Sequence, residues 1–284
     1  MRIHRPIALA LLILAVGGAV VRAAANRLNV LLITVDDMSC DSVGAYGAKL
    51  NGITPNMDRL AAQSLRFNHA HSQVGNCMPT RNVLFSGRYP HNNRVEGFYQ
   101  VKNPGYRVMA DLMKAGGYFT GIRGKVSDST PYAPYPAWDI VLDTLPDGKQ
   151  ADPKNIESYY VSTKHGIASA RKAGKPFCLN LNIADPHKPF WNEDGNAEHN
   201  KPSRTFSANE IPIPGFLFES EAVRKELALY YSSVRRADDC LGGIMRALQE
   251  SGLESDTLVI FLSDHGMPLP FAKKIGRASC RERV

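Results

Sequence analysis

Four short apolar segments, each bounded by turn residues, constrain the fold of this chain more than any other feature. They are predicted to be buried strands, and segments with helical periodicity separate them. Strands that alternate with helices form βαβ units, so the sequence predicts an α/β fold: a mostly parallel central sheet with helices on both faces. The predicted strands are residues 30–35, 118–122, 177–183 and 257–262.

The helices between these strands have recognisable ends. Thr54 and Pro55 are predicted to be the N-cap and the first residue of one helix, because threonine satisfies free backbone amides there and proline has no amide to satisfy. Residues 192–218 are rich in proline, asparagine and serine, and they are predicted to form a long loop that borders a site. Further helices are predicted at residues 107–115, 155–173 and 227–251.

Each predicted strand leads directly into polar residues that can carry out chemistry. Ligand sites in open α/β sheets form beyond the carboxyl ends of the strands. One such cluster would be weak evidence, since polar residues commonly follow strands, whereas four together predict one shared site. The four clusters are Asp36-Asp37, Arg123 with Lys125, Asp185-Pro186-His187-Lys188 and Ser263-Asp264-His265-Gly266.

Asp36, Asp37 and Asp264 would place three carboxylates in that site. Like charges so close together are costly unless a cation neutralises them. Carboxylate oxygens suit Ca²⁺ or Mg²⁺. His265 is a candidate fourth ligand, although imidazole is not a preferred partner of Ca²⁺. For the adjacent Asp36 and Asp37 alone, the alternative is a solvated loop or a helix cap.

Basic residues of the same region suit a tetrahedral oxyanion, because ammonium and guanidinium groups donate hydrogen bonds to its oxygens. Taken singly, each is typical of an ordinary surface charge. His187 is a candidate acid for a leaving oxygen, since the pKa of an unperturbed histidine lies near neutrality. The basic candidates are Arg81, Lys125, Lys188 and Lys273.

Residues 77–81 (C-M-P-T-R) and 86–90 (S-G-R-Y-P) form the most specific pattern in the chain. It resembles the C-x-P-S/T-R core and the trailing S/T-G-R-x-P of type I sulfatases, the formylglycine-dependent family of the alkaline phosphatase-like superfamily. Pro79 would lie in a first helical turn and would place Cys77 at a helix N-terminus, where the helix dipole favours anions. The alternative, a free or disulfide-bonded cysteine, would be favoured if Cys77 were considered alone.

The resemblance extends over residues 29–273, and its further motifs occur in the family's order. It implies that residues 26–274 are the N-terminal part of a sulfatase catalytic domain and that a smaller C-terminal subdomain is missing, so that the chain is a fragment. The sequence of residues 264–270 (D-H-G-M-P-L-P) resembles that of the branch that contains heparan N-sulfatases, or sulfamidases. The further motifs are residues 54–61, 124–125, 185–187 and 263–266.

The resemblance also implies roles for individual residues. A maturation enzyme would oxidise Cys77 to formylglycine, whose hydrate would attack sulfur. A divalent cation, Ca²⁺ or Mg²⁺, would polarise the sulfate oxygens. Cationic side chains would stabilise the transferring group, and His187 would protonate the departing alcohol or amine. The implied metal ligands are Asp36, Asp37, Cys77, Asp264 and His265. The implied catalytic residues are Cys77, Arg81, Lys125, His187 and Lys273.

One position departs from the family pattern. Many sulfatases carry a histidine two residues after the lysine that matches Lys125, and here that residue is Ser127. Serine donates a hydrogen bond but cannot hold a proton at neutral pH. Either another histidine substitutes for it, or turnover and substrate class differ from those of the typical enzyme.

The two ends of the chain are interpreted apart from the fold. Residues 1–25 have a positive start, an uncharged run at 7–21 and small residues before a cleavage site, which predicts a secretory signal peptide and an exported protein, periplasmic or secreted. The alternative is a membrane anchor, for which the run is short. Residues 275–284 resemble translated sequencing-adapter sequence and are predicted to be a non-native tail.

Charge and cysteine content indicate no further partner. The formal net charge of +7 includes +3 from the leader and +2 from the tail, which leaves +2 for the body and gives no reason to expect a nucleic-acid partner. The cysteine spacings predict neither a disulfide framework nor a zinc site. Cys178 and Cys240 are predicted to be small buried apolar residues.

Three functions follow from these patterns. The first is a sulfatase that hydrolyses a sulfate ester or N-sulfate on a sulfated carbohydrate. The second is a phosphate or phosphonate ester hydrolase of the same superfamily, because phosphate and sulfate are both tetrahedral oxyanions. The third is a non-catalytic protein that binds sulfated glycans, which would keep an unmodified Cys77 thiol.

Overall fold

A computed structural model describes residues 27–195, 197–270 and 272, which form a five-stranded parallel sheet with helices on both faces. The predicted α/β class is confirmed. The strands are β1 (Asn29–Asp36), β2 (Phe119–Arg123), β3 (Ile140–Val141), β4 (Phe177–Pro186) and β5 (Thr257–Ser263). The helices are α1 (Pro55–Ala62), α2 (Cys77–Ser86), α3 (Pro90–Asn93), α4 (Met109–Ala115), α5 (Val126–Ser129), α6 (Ile156–Lys172) and α7 (Glu221–Glu250).

The strands lie in the order β3-β2-β4-β1-β5, and neighbouring strands are parallel. All four predicted strands are present, with small shifts at their ends. β3 was not predicted, because two residues are too few to show a periodic pattern. β1 lies between β4 and β5, with Asp36 opposite Pro186 and Val35 opposite Ser263. The carboxyl ends of these three strands therefore meet at one edge of the sheet.

The side chains of each strand alternate between two apolar layers. On one face, Leu31 of β1 and Leu179 of β4 are fully buried in a core that includes Tyr159 and Ile167 of α6 and Leu241 of α7. This layer fixes the two long helices against the sheet, since burying a leucine or isoleucine side chain contributes about 1.5–3 kcal/mol.

The opposite face of the sheet carries a smaller cluster. Leu32 of β1 and Ile122 of β2 pack with Phe85 of α2, Ala110 of α4 and Trp138. The first residue of α2 is Cys77. The packing of Phe85 therefore holds a helix whose amino end lies beside the carboxyl ends of the central strands.

Helix positions were predicted better than helix ends. α6 begins after the N-cap Asn155, whose side chain accepts a hydrogen bond from the amide of Ser158. α7 begins at Glu221 rather than at residue 227, because Ser220 caps it and its first turns carry no apolar stripe. α4 begins at Met109 rather than at residue 107.

The position of the N-cap of α1 was predicted correctly, but the side chain that accepts from the helix amides was not. Thr54 precedes the helix, but its hydroxyl donates to the carboxylate of Asp58 rather than satisfying a helix amide. The carboxylate of Asp238 in α7 accepts instead from the amides of Asn56 and Met57, at 3.0 and 2.8 Å. A distant helix thus caps α1.

The predicted signal peptide, Lys273 and the tail lie outside the described residues. Within the described part of the chain, no helix combines the length and apolar character that a membrane crossing requires. Cys178 and Cys240 are fully buried free cysteines, as predicted.

Candidate active site

The acidic side of the candidate site begins where β1 ends. Asp36 is fully buried and Asp37 is almost so. Asp37 has a φ of 71°, in the left-handed region that favours glycine. Its amide donates to Oδ1 of Asp264, at 3.2 Å, across the β1–β5 pair. Aspartate adopts this region more readily than most residues, and the hydrogen bond to Asp264 holds Asp37 in it.

Cys77 faces these aspartates from the start of α2. It is 3% exposed, and its Sγ lies 3.4 Å from Oδ1 of Asp36 and 3.2 Å from Nε2 of His265. α2 ends at Ser86 and is followed by Gly87, whose φ of 64° lets the chain turn away. The sequence pattern therefore places the cysteine at a buried helix N-terminus, as predicted.

Four of the five predicted metal ligands form one cluster. The ligand atoms of Asp36, Asp37, Cys77 and His265 all lie within 4.8 Å of one another, and all four residues are buried. Asp264 adjoins this cluster, with Oδ2 at 3.5 Å from Nε2 of His265. The three carboxylates suit a hard divalent cation, whereas the thiol of Cys77 and the imidazole of His265 are softer donors.

The electrostatics of the carboxylates also favour a cation. Burial and the neighbouring charge of Asp36 raise the pKa of Asp264 to about 7, against the opposing effect of Arg81. Burial also tends to raise the pKa of Asp36, but the charges of Arg81 and Lys125 outweigh burial and hold this pKa well below its usual range. A divalent cation would relieve the repulsion between Asp36 and Asp264, which contributes to the raised pKa of Asp264. The residues of this site fit the ion that the sequence predicts.

Arg81 lies one turn along α2 from Cys77 and is fully buried. Its Nη2 is 3.0 Å from Oδ2 of Asp264, and its Nε donates to the same oxygen at 3.2 Å. Its Nη1 donates to Oδ1 of Asn182 at 2.6 Å and to the hydroxyl of Thr34 at 2.9 Å. The guanidinium is thus fixed in one orientation beside the cysteine.

Lys125 reaches the site from the turn after β2. Its Nζ lies 2.5 Å from Oδ2 of Asp36 and 3.4 Å from Oδ2 of Asp128. Burial would lower the pKa of Lys125, but the charge of Asp36 outweighs it and raises the pKa above its usual value. The turn depends on Gly124, which has a φ of 65° and whose absent Cβ would lie 3.0 Å from the carbonyl oxygen of Asn182.

Asn182 is the residue of this region that the sequence analysis missed. Its Oδ1 accepts from Arg81 and Thr34, and its Nδ2 donates to the carbonyls of Arg123 and Gly124. It therefore joins the Arg81 side of the site to the Lys125 turn. The available signal was a polar residue inside an otherwise apolar strand, which calls for buried hydrogen-bond partners.

His187 lies at the open side of the site. Its Nε2 is 4.0 Å from Oδ2 of Asp37, and its side chain is 41% exposed. Lys188, by contrast, is not brought to the cluster, because its Nζ pairs with Glu226 at 2.6 Å. Ser127 is exposed, and its hydroxyl lies 3.5 Å from Oδ1 of Asp128.

Comparison with known proteins identifies relatives over most of the chain. A profile of the sulfatase family matches residues 28–279. Human N-sulphoglucosamine sulphohydrolase is 29% identical over 262 residues, an alignment that covers 85% of this chain and 51% of that protein. The chain thus spans about half the length of the curated relatives that it matches.

Solved structures share the fold. A 2-O GAG sulfatase superposes with a TM-score of 0.60 at 20% identity, over 90% of this chain and 60% of that one. The phosphonate monoester hydrolase of Agrobacterium radiobacter gives a TM-score of 0.59 at 20% identity, over 89% of this chain and 66% of that one. Both structures therefore support the predicted fold.

Proposed function

The chain belongs to the sulfatase family, and on that premise we propose that the protein hydrolyses a sulfate ester or N-sulfate of a sulfated carbohydrate. Its similarity to N-sulphoglucosamine sulphohydrolase supports a carbohydrate substrate. The proposal assigns residues 26–274 to the catalytic domain and residues 1–25 to an export signal, so that the protein acts in the periplasm or outside the cell.

One observation carries this proposal: a buried cysteine begins a helix at the meeting point of three carboxylates, one imidazole and two cationic side chains. Cys77 is within 3.4 Å of Asp36 and His265. Arg81 and Lys125 lie beside it, each paired with a carboxylate of the cluster. Cationic donors and a helix N-terminus together favour a bound oxyanion.

Two groups complete the proposed chemistry. Formylglycine, made from Cys77 by a maturation enzyme, supplies a hydroxyl nucleophile for sulfur when it is hydrated. Asp36, Asp37, residue 77, Asp264 and His265 would hold a Ca²⁺ or Mg²⁺ ion, which would supply Lewis acidity toward the sulfate oxygens.

The remaining side chains bind the substrate and move a proton. Arg81 and Lys125 bind the sulfate oxygens and stabilise the charge that builds up on them, and Lys273 is proposed to add a third cation. His187 holds a proton at Nε2 and donates it to the leaving oxygen or nitrogen. Arg81 is held rigidly by Asn182 and Thr34, so it needs little reorganisation to act.

The proposal is tested by mass spectrometry of the protein, expressed from its complete gene together with a formylglycine-generating enzyme. Trypsin cleavage after Arg66 and Arg81 releases the peptide that contains Cys77. We expect this peptide to have lost its sulfur and gained an aldehyde oxygen. The peptide at residues 237–246, which contains Cys240 outside any such motif, serves as the internal control and is expected to keep its thiol.

Paired assays then identify the ester class. Hydrolysis of sulfate esters or N-sulfates, but not of matched phosphate and phosphonate esters, supports the sulfatase, and Cys77→Ala is expected to lower the rate by a factor on the order of 10⁴ or more. A preference for phosphorus esters would instead identify the protein as a phosphate or phosphonate ester hydrolase. An unmodified Cys77 despite an active maturation enzyme would exclude the formylglycine mechanism and favour a glycan-binding protein.

A further inference from the structure

The loop that follows β4 carries His187 but has few hydrogen bonds of its own. Pro186 and Pro189 flank the histidine and have no backbone amide to donate. The amide of His187 donates to the carbonyl of Ala184 at 3.1 Å. The carbonyls of the loop therefore need donors from elsewhere in the protein.

Lys154, which precedes α6, supplies those donors. Its Nζ donates to the carbonyl oxygens of His187 and Pro189, both at 2.6 Å, and lies 3.1 Å from Oδ1 of Asp185. An ammonium group has three hydrogens. All three are directed at the loop, and the side chain is only 16% exposed.

Arg236 of α7 holds the end of β4, from which the same loop begins. Its Nε and Nη2 donate to the two carboxylate oxygens of Asp185, at 2.6 and 3.1 Å, and both side chains are buried. A buried ion pair contributes little net stability, because desolvation offsets the attraction, but it fixes geometry. The carboxylate of Asp185 thus pairs with both Arg236 and Lys154.

These contacts with Asp185 and the loop carbonyls set the direction of the His187 imidazole. Nδ1 of His187 lies 2.6 Å from the carbonyl oxygen of Lys188, so Nδ1 carries a hydrogen and donates it. That hydrogen bond turns Nε2 toward Oδ2 of Asp37, 4.0 Å away. The accepting carbonyl, that of Lys188, lies in the chain between the carbonyls of His187 and Pro189, which both accept from Lys154.

We propose that Lys154 and Arg236 are positioning residues that hold His187 with Nε2 aimed at the leaving group. The inference rests on the proposed function, in which His187 is the proton donor. Arg236 acts through Asp185, and Lys154 acts through Asp185 and the loop backbone.

The test uses Lys154→Met in the protein expressed from its complete gene, with phenyl sulfate and 4-nitrophenyl sulfate as substrates. Asp185 keeps its partner Arg236 in this variant, so no buried charge is left unpaired. A proton donor matters most for the poorer leaving group, phenol. Because general acids contribute about 10²–10⁴-fold, we expect kcat on phenyl sulfate to fall about 10- to 100-fold and kcat on 4-nitrophenyl sulfate to fall less than about 3-fold.

Three further variants separate positioning from a structural role. Lys154→Arg is expected to recover part of the lost rate, because its guanidinium can still donate to two carbonyls. Lys154→Met in a His187→Ala background is expected to cause no further loss. Lys164→Met, at an exposed lysine of α6 paired with Glu250, makes the same chemical change away from the loop and is expected to alter neither rate. Equal losses on both substrates, or full additivity with His187→Ala, would overturn the inference.

A spectroscopic measurement distinguishes this inference from the proposed function. Imidazole ¹⁵N chemical shifts report which ring nitrogen of His187 carries the hydrogen. The proton-donating form carries hydrogens on both nitrogens, so the placement is read from the neutral ring, for which we expect the hydrogen on Nδ1 in the wild type and a mixture of tautomers in Lys154→Met. Unchanged shifts would overturn the positioning role. A wild type that hydrolyses no sulfate ester and no N-sulfate, whether aryl or carbohydrate, would overturn the proposed function, and the ¹⁵N shifts would still test the placement of His187.

Discussion

At the scale of single residues, the site depends on one asparagine as much as on its motif residues. Asn182 uses both lone pairs of its oxygen and both of its amide hydrogens, on four partners. Two of these partners, Arg81 and the Gly124 carbonyl, belong to the chain segments that bring the cationic groups to Cys77. A fully satisfied buried network of this kind specifies one arrangement.

Asn180 provides a matched control for Asn182. It lies on the same strand and the same face, two residues earlier, and it is fully buried. Neither polar atom of its side chain has a hydrogen-bond partner among the described residues. We expect Asn182→Leu to destabilise the protein by about 2–4 kcal/mol, because buried Arg81 and Thr34 lose an acceptor, and Asn180→Leu to be neutral or stabilising.

Urea unfolding of both variants measures this difference, as a shift of the midpoint without a change of slope. Activity provides a second readout, since Asn182→Leu frees the guanidinium of Arg81 and is expected to lower kcat. Equal midpoints for the two variants would contradict the role assigned to Asn182.

The sequence revealed the motif residues of the site because each follows a strand or lies in a recognisable spacing. Asp36, Cys77 and Asp264 were predicted to converge, and they do. Asn182 escaped prediction, because one polar residue inside an apolar strand does not indicate which partners it will meet. Asn180 and Asn182 look alike in sequence, and only the position of α2 and the β2 turn distinguishes them.

At the scale of secondary-structure elements, helix ends depend on tertiary contacts that a local pattern does not contain. Thr54 occupies the expected N-cap of α1, but Asp238 of α7 satisfies the helix amides. Asn155 and Ser220, by contrast, cap α6 and α7 with their own side chains. Local capping signals are reliable when no distant side chain competes for the same amides.

The remote cap makes a specific prediction for stability. Asp238→Ala removes the acceptor for two amides of α1 and for the side chain of Asn56, whose Nδ2 lies 2.8 Å from Oδ2 of Asp238. We expect a loss of about 2–3 kcal/mol, because an N-cap contributes about 1 kcal/mol and buried donors left without partners add to that cost.

Glu221→Gln is the control for this prediction. Glu221 lies in the exposed first turn of α7 and pairs with Lys225, so its neutralisation is expected to change stability by less than about 0.5 kcal/mol. Hydrogen exchange provides the local measurement: in Asp238→Ala, the amides of α1 are expected to exchange faster than those of α6. Uniform acceleration across both helices would show that Asp238 stabilises the whole fold rather than α1.

At the scale of the whole molecule, the sheet order explains why the site forms where it does. β1 lies between β4 and β5, so three of the four predicted clusters follow adjacent strands, and Lys125 follows the next strand, β2. The sequence predicted parallel strands but not their order, because the order depends on which helices pack on which face. In the folded chain, α7 packs on one face through its long apolar stripe and α2 packs on the other through Phe85.

The same sheet leaves β5 at an edge of the described strands. Leu258 and Ile260 point to the face that carries α2 and are 48% and 39% exposed, whereas Val259 packs on the main core. An apolar edge strand with unpaired backbone groups is a template for aggregation, and lysine on such a strand opposes it. We therefore expect Leu258→Lys to slow aggregation of this 284-residue chain while changing the free energy of unfolding by less than about 0.5 kcal/mol.

Val259→Lys is the matched control, on the same strand but the opposite face. It places a charge at a partly buried position against the main core and is expected to cost about 1 kcal/mol or more, which would increase aggregation through unfolding. Light scattering at 37 °C and urea unfolding of the three proteins separate the two effects, because only Leu258→Lys is expected to reduce scattering at constant stability. If Leu258→Lys scatters as fast as the wild type, the exposed edge of β5 is not the surface through which the chain associates.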